Sequence, residues 1–176
     1  MKVFLENFKR NFWGVALPSV ITGLAAGIVI SFFKFSAVFI VYVSGKFYAF
    51  ASATAWHDAI CLCVILALSL CAFFIAKKFP FSKGGGIPFS FAISQLNLSF
   101  KIIGTFFATF LSSLITFFVG VPLGVEGPSV QLGALLGRQF SKPENKKELT
   151  TASAGAGFCA ATGSALGGFL FSFEEI

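Results

Sequence analysis

Four stretches of this sequence are apolar over lengths that suit a bilayer: Phe12 to Phe33, Ala59 to Ala76, Ile102 to Val125 and Thr150 to Phe173. A helical crossing of the hydrocarbon core needs about 20 such residues. No water reaches that core, so a chain inside it must pair its own backbone N–H and C=O groups, and separate apolar stretches of this length do so as helices. Composition agrees. The chain is 56% hydrophobic and only 11% charged, where soluble domains average about 25% charged residues. Its mean hydropathy is +0.88. The expected fold class is an all-α integral membrane protein.

The formal charge of +6 has to be read by position and gives no nucleic-acid signal. Ten of the thirteen basic residues fall in three short segments: Lys2, Lys9 and Arg10; Lys77, Lys78 and Lys83; Arg138, Lys142, Lys146 and Lys147. By the positive-inside rule all three face the cytoplasm, so an even number of crossings separates each from the next. One long tilted helix from about Phe12 to Phe50 with a return over Ala59 to Ala76 meets that condition. So does a helix over Lys101 to Val121 followed by a return over Pro128 to Phe140. Residues 1–11 then form a cytoplasmic N-terminal segment. That segment is basic, but the apolar run after it is too long for a cleavable signal and reads as a first membrane anchor.

Glycine changes the character of the chain after Lys83, where fourteen of the eighteen glycines lie. Gly84-Gly85-Gly86-Ile87-Pro88 cannot be a helix interior, because three glycines forfeit helix propensity and Pro88 removes a donor. Pro88 restarts a short helix through about Leu96. Irregular backbone between membrane segments is tolerated where it is buried in protein or lines an aqueous cavity. A second break follows at Gly124-Val125-Glu126-Gly127-Pro128, with Pro128 expected at the first helical position. Glu126 is the one charge between Ile102 and Leu136. A carboxylate in such a stretch is costly unless paired, hydrated or functional. A helix start attracts anions through its free N–H groups and dipole. Two broken helices with their N-termini aimed at one place are a recurrent device for anion transport. Glu126 therefore reads as a tethered anion that competes with a permeating one.

The final apolar segment is dense in alanine, glycine and serine, which allows close helix packing inside a bundle. Gly23-xxx-Gly27, Gly120-xxx-Gly124, Gly133-xxx-Gly137 and Gly163-xxx-Gly167 share one spacing, which ordinary internal packing explains. Two acids, Glu174 and Glu175, follow directly. They read either as a plain cytoplasmic helix end or as a proton-accepting group at an inner mouth. Cys61, Cys63, Cys71 and Cys159 lie in apolar segments as small hydrophobes. His57 stands four residues before Cys61, too few ligands for a metal site. No cofactor is indicated.

Three stretches carry a family resemblance: Gly84 to Pro88, Gly124 to Gly133, and Ala154-Gly155-Ala156-Gly157 through Gly168 to Glu175. In order and spacing they resemble the signature stretches of the CLC chloride channel and proton-coupled anion antiporter family. The resemblance implies two inverted helical repeats per subunit in a homodimer, each subunit with its own pore. Residues 12–176 correspond to the first, N-terminal repeat. It further implies transport of chloride or a related halide in exchange for protons, across a bacterial inner membrane with the N-terminus cytoplasmic. Glu126 matches the family's external gating glutamate, Glu175 its internal proton-transfer glutamate and Glu174 the acidic neighbour. Gly85, Gly86, Ile87, Glu126 and Gly127 match the positions that hold the anion. Gly85 replaces a serine whose hydroxyl usually coordinates chloride, and Val125 replaces an arginine. Gly163-Ser164-Ala165 stands where Asn-x-Pro is usual. Because placed donors set selectivity, the loss of the serine hydroxyl leaves a fluoride/proton antiporter as the alternative. A membrane enzyme using Glu126 with Glu174 or Glu175 lacks histidine and cysteine ligands nearby. A non-transporting scaffold is the remaining reading.

Overall fold

The computed structural model describes residues 12–51, 55–83, 86–96 and 98–174. Among these the regular structure is helical throughout. A π-helical turn, Phe12–Ala16, leads into α1 (Leu17–Ala51), followed by α2 (Ala55–Lys78) and a 3-10 turn at Pro80–Ser82. Then come α3 (Gly86–Gln95), α4 (Ile102–Val119), α5 (Glu126–Phe140), α6 (Lys146–Thr162) and α7 (Ala165–Glu174). Three helices are long and apolar enough to cross a membrane: Phe12–Phe50, Trp56–Lys78 and Ile102–Val119. The expected return over Pro128 to Phe140 is not one of them. With 15 residues, α5 is only about 22 Å long, short of the roughly 30 Å hydrocarbon core.

α5 is nonetheless the centre of the molecule. Every residue from Ser129 to Leu135 is buried, although this helix is much less apolar than α1, α3 and α4, which pack on it. Leu132 packs with Ile30, Phe33 and Phe117 on one side. Val130, Ala134 and Leu135 pack with Ile93 and Ala154 on the other. Its closest neighbour is α6, and glycine explains why. A Cβ at Gly133 would overlap the Ser153 carbonyl, one at Gly137 the Leu149 carbonyl, and one at Gly157 the Ser129 carbonyl. The two backbones touch, as small residues permit in membrane bundles. α2 instead turns outward, with Cys61 buried and Leu62, Leu66, Leu70, Phe73 and Phe74 exposed for lipid.

Helix ends inside a bilayer need protein partners for their last carbonyls, and α1 supplies several. Ser44 donates to the Phe118 carbonyl and Tyr48 to the Val119 carbonyl, both at 2.7 Å, at the end of α4. Lys34 donates from Nζ to the Ala161 carbonyl at 2.7 Å, at the end of α6. The reverse service is done at the start of α1. Pro18 cannot donate to Gly14, and Asn145 Nδ2 reaches that carbonyl instead at 2.7 Å. Asn145 Oδ1 meanwhile accepts from the Lys142 amide at 2.8 Å. The α5–α6 connection is thereby fastened to the first helix.

The last apolar segment is two helices and not a continuous span. α6 ends where Gly163 adopts φ +75, a left-handed conformation that glycine takes without steric penalty. Ser164 then caps α7 by accepting from the Gly167 amide at 3.0 Å. Packing of the small residues inside the bundle holds for α6, where Ser153, Ala154, Gly155 and Gly157 are buried. It fails for α7, which buries only Gly168 and exposes Leu166, Phe169, Leu170 and Phe173. Among the four glycine pairs, Gly133-xxx-Gly137 is a true packing motif, whereas Gly120 and Gly163 are left-handed helix caps.

Candidate anion site

The two breaks noted in the sequence meet in space. α3 begins Gly86-Ile87-Pro88 and α5 begins Glu126-Gly127-Pro128, so proline occupies the third helical position in both. The expectation of Pro128 at the first position is corrected by two residues. The first three N–H groups of a helix lack an intrahelical acceptor in any case, so proline costs nothing at any of these places. The first hydrogen bond of α5 runs from the Ser129 amide to the Val125 carbonyl at 3.1 Å. No side chain caps this helix. The amides of Glu126 and Gly127 therefore have no acceptor within α5.

The two N-termini are in direct contact. A Cβ at Gly86 would overlap the Gly127 carbonyl, and one at Gly127 would lie 3.7 Å from the Gly86 nitrogen. Around this junction is a cavity of about 670 Å3, walled by Gly86, Gly124, Glu126 and Gly127 on one side and by Thr109 and Thr116 of α4 on the other. The Glu126 side chain folds back over Gly124, where a Cβ would overlap its Oε2. It is solvent-exposed. Lying in the first turn of α5, its carboxylate also benefits from the positive end of the helix dipole.

Buried polar ties hold the junction together. Gln131, 1% exposed, donates from Nε2 to the Phe81 carbonyl at 2.8 Å. This anchors the 3-10 turn that leads into α3 onto the second turn of α5. The rings of Phe81, Phe89 and Phe100 form a triangle with centroids 5.1 to 5.7 Å apart, packing the same turn against α3. Ser90 donates to the Gly86 carbonyl at 2.6 Å within α3. Gln131 was visible in the Gly124 to Gly133 stretch, but its partner is fifty positions away and nothing local marks it. Lys34 was visible too, as one of two cations, with Lys46, within the first apolar helix.

Of the site residues expected from the sequence, Gly86, Ile87, Glu126 and Gly127 come together at the junction. Gly85 and Glu175 lie outside the described residues, as does the segment 1–11. Glu174 is the last residue of α7 and is exposed. His57 lies against Phe50 with ring centroids 4.2 Å apart and the rings tilted by 35°, and the four cysteines are free.

Residues 63–176 match the family model described as voltage gated chloride channel. The chain belongs to the voltage gated chloride channel family. Among similar proteins, chloride channel protein D of Dictyostelium discoideum is 30% identical over 133 residues, covering 62% of this chain and 13% of that protein. The H(+)/Cl(-) exchange transporter ClcA of Klebsiella pneumoniae (strain 342) is 32% identical over 136 residues, covering 69% of this chain and 27% of that protein. The matched region thus spans a small part of each relative's length. It contains both glycine-proline helix starts of this family member. Family membership and the three long apolar helices together make the chain an integral membrane protein.

Proposed function

We propose that this chain builds one side of the anion pathway of a proton-coupled halide transporter, with chloride as the anion moved. The observation that supports this most is the contact between the uncapped N-terminus of α5 and the N-terminus of α3 at a cavity walled by one carboxylate. Two helix N-termini supply N–H donors and positive potential, which suits a small anion and not a cation. Glu126 is the gate in this reading. Its carboxylate is tethered beside the donors and competes with chloride for them, and on protonation it leaves them free. Glu175 receives the proton on the inner side. The resemblance to an exchange transporter over 69% of the chain adds support for coupling.

In the full-length protein this reading includes a homodimer in the bilayer with the N-terminus cytoplasmic. α7 presents Leu166, Phe169, Leu170 and Phe173 outward at helical spacing, a face that suits lipid and a second copy equally. The test is reconstitution of the full-length protein into liposomes, with halide and proton fluxes read together. A chloride gradient should drive protons in the opposite direction. Chloride flux without proton movement would reduce the reading to a channel, fluoride flux far above chloride would move it to the fluoride branch, and no halide flux would refute it.

A further inference from the structure

Threonine and serine hydroxyls within the helices of this chain follow a common habit: they donate to the carbonyl one turn back. Thr22 does so to Pro18, Ser36 to Phe32, Thr116 to Ser112, Thr150 to Lys146 and Thr162 to Phe158, at 2.6 to 2.9 Å. Thr109, in the middle of α4, does not. It is 2% exposed, and its Oγ1 is buried without a hydrogen-bond partner. A buried hydroxyl left in that state forfeits its hydration with nothing in return, so an unpaired one beside a cavity needs a reason.

Its position supplies one. Four described hydroxyls are buried without a partner: Thr109, Ser129, Thr151 and Ser153. Of these, Thr109 lines the cavity onto which Gly86, Glu126 and Gly127 open. Two neighbouring hydroxyls on that wall are engaged elsewhere, Ser112 with the Thr109 carbonyl at 3.3 Å and Thr116 with the Ser112 carbonyl at 2.7 Å, while Ser113 is half-buried there. The Thr109 O–H is therefore an unengaged donor on the α4 wall; its Oγ1 is closed off from the cavity in this structure, and a rotation about χ1 turns it toward the amides of α3 and α5. An O–H donated to an anion in a water-poor site is a charge-assisted bond, about twice as strong as a neutral one.

We propose that the Thr109 hydroxyl is a ligand of the permeating halide, supplied by α4. This deepens the transport reading and rests on it. The anion then sits among backbone amides from α3 and α5 and one side-chain donor from the opposite wall. Removing that donor affects affinity for every halide and most affects fluoride, the smallest and strongest hydrogen-bond acceptor among them.

The experiment is calorimetric titration of chloride and fluoride into the detergent-solubilised full-length protein, with liposome flux measured on the same preparations. Thr109→Val keeps the shape and removes the donor, and should weaken halide binding about tenfold or more, the loss expected for one hydrogen bond to a charged group. Thr109→Ser keeps the donor and should stay within about twofold of the native protein. Should valine disturb folding, Thr109→Ala gives the same readout. Native affinity in the valine variant, with intact flux in the native protein, overturns this inference and leaves the transport reading standing. Equal weakening by serine and valine also overturns it, since packing and not the hydroxyl would then matter. A native protein that neither binds nor moves halide removes both.

Discussion

The amide end of Gly86 rests against Gly127: no side chain fits between the first residue of α3 and the carbonyl of the second residue of α5. The contact is asymmetric, and that makes it testable. A methyl group at Gly86 would overlap the Gly127 carbonyl, whereas one at Gly127 would lie 3.7 Å from the Gly86 nitrogen, an ordinary van der Waals distance. Gly86→Ala should force the two N-termini apart and cost about 1–3 kcal/mol or more of stability. Gly127→Ala should fold with little loss. Thermal melts of the two variants in detergent check this, and equal melting temperatures would mean that the junction is not tight.

Glu126→Gln imitates the protonated acid permanently. In liposomes halide flux should persist while coupled proton flux falls by about a hundredfold or more, the scale lost with an essential proton-transfer group. Glu175→Gln should likewise stop protons and spare some anion flux, and Glu174→Gln should do much less. The family resemblance assigns the proton-transfer part to Glu175 and not to its neighbour, which is why the two variants should differ. Unimpaired proton coupling in Glu126→Gln would remove that residue from the mechanism.

Gln131→Leu keeps the approximate size of a buried side chain and removes the donor to the Phe81 carbonyl. An acceptor left without its partner costs about 1–3 kcal/mol. The larger consequence concerns binding, because the turn before α3 loses its anchor to α5. Halide affinity should drop by more than the melting temperature alone suggests. Unchanged affinity with a lowered melting temperature would restrict Gln131 to a purely structural part.

Lys34→Met retains the apolar stem and deletes the ammonium that meets the Ala161 carbonyl at 2.7 Å. That carbonyl lies at the negative end of α6, one of the helix ends that protein groups must satisfy. The expected loss is about 1–3 kcal/mol, with Lys34→Gln recovering part of it through its amide donor. Hydrogen exchange at the break around Gly163 should rise in the methionine variant. Native-like protection there would show that the bond does not hold the break.

Much of this arrangement was legible before any coordinates. A continuous apolar run of about 20 residues satisfies its own backbone in a bilayer as a helix, so α1, α2 and α4 follow from the length and order of the apolar runs. The interruptions ahead of α3 and α5 were legible because glycine and proline act locally on φ and on the donor count, although both helices begin two residues before their prolines. The register of Pro128 within α5 was not, since proline is tolerated throughout the first turn. Nor was the division of Thr150 to Phe173 into two helices, which depends on the left-handed turn at Gly163 and the Ser164 cap.

By itself, then, the amino-acid order determined where helices form, where they stop and which carboxylate stands alone among apolar residues. Those are consequences of short-range chemistry. Tertiary structure decided which interrupted ends meet. It brought Gly86 against Gly127, Gln131 to Phe81, Lys34 to Ala161, and the unpaired Thr109 hydroxyl to the wall of the same cavity. Each of those partnerships spans a long stretch of chain, and a hydrogen-bonding group carries no local mark of the distant group that will satisfy it. Only the packing of α5 at the centre of the bundle, set by backbone contact with α6 at its glycines, brings them within reach.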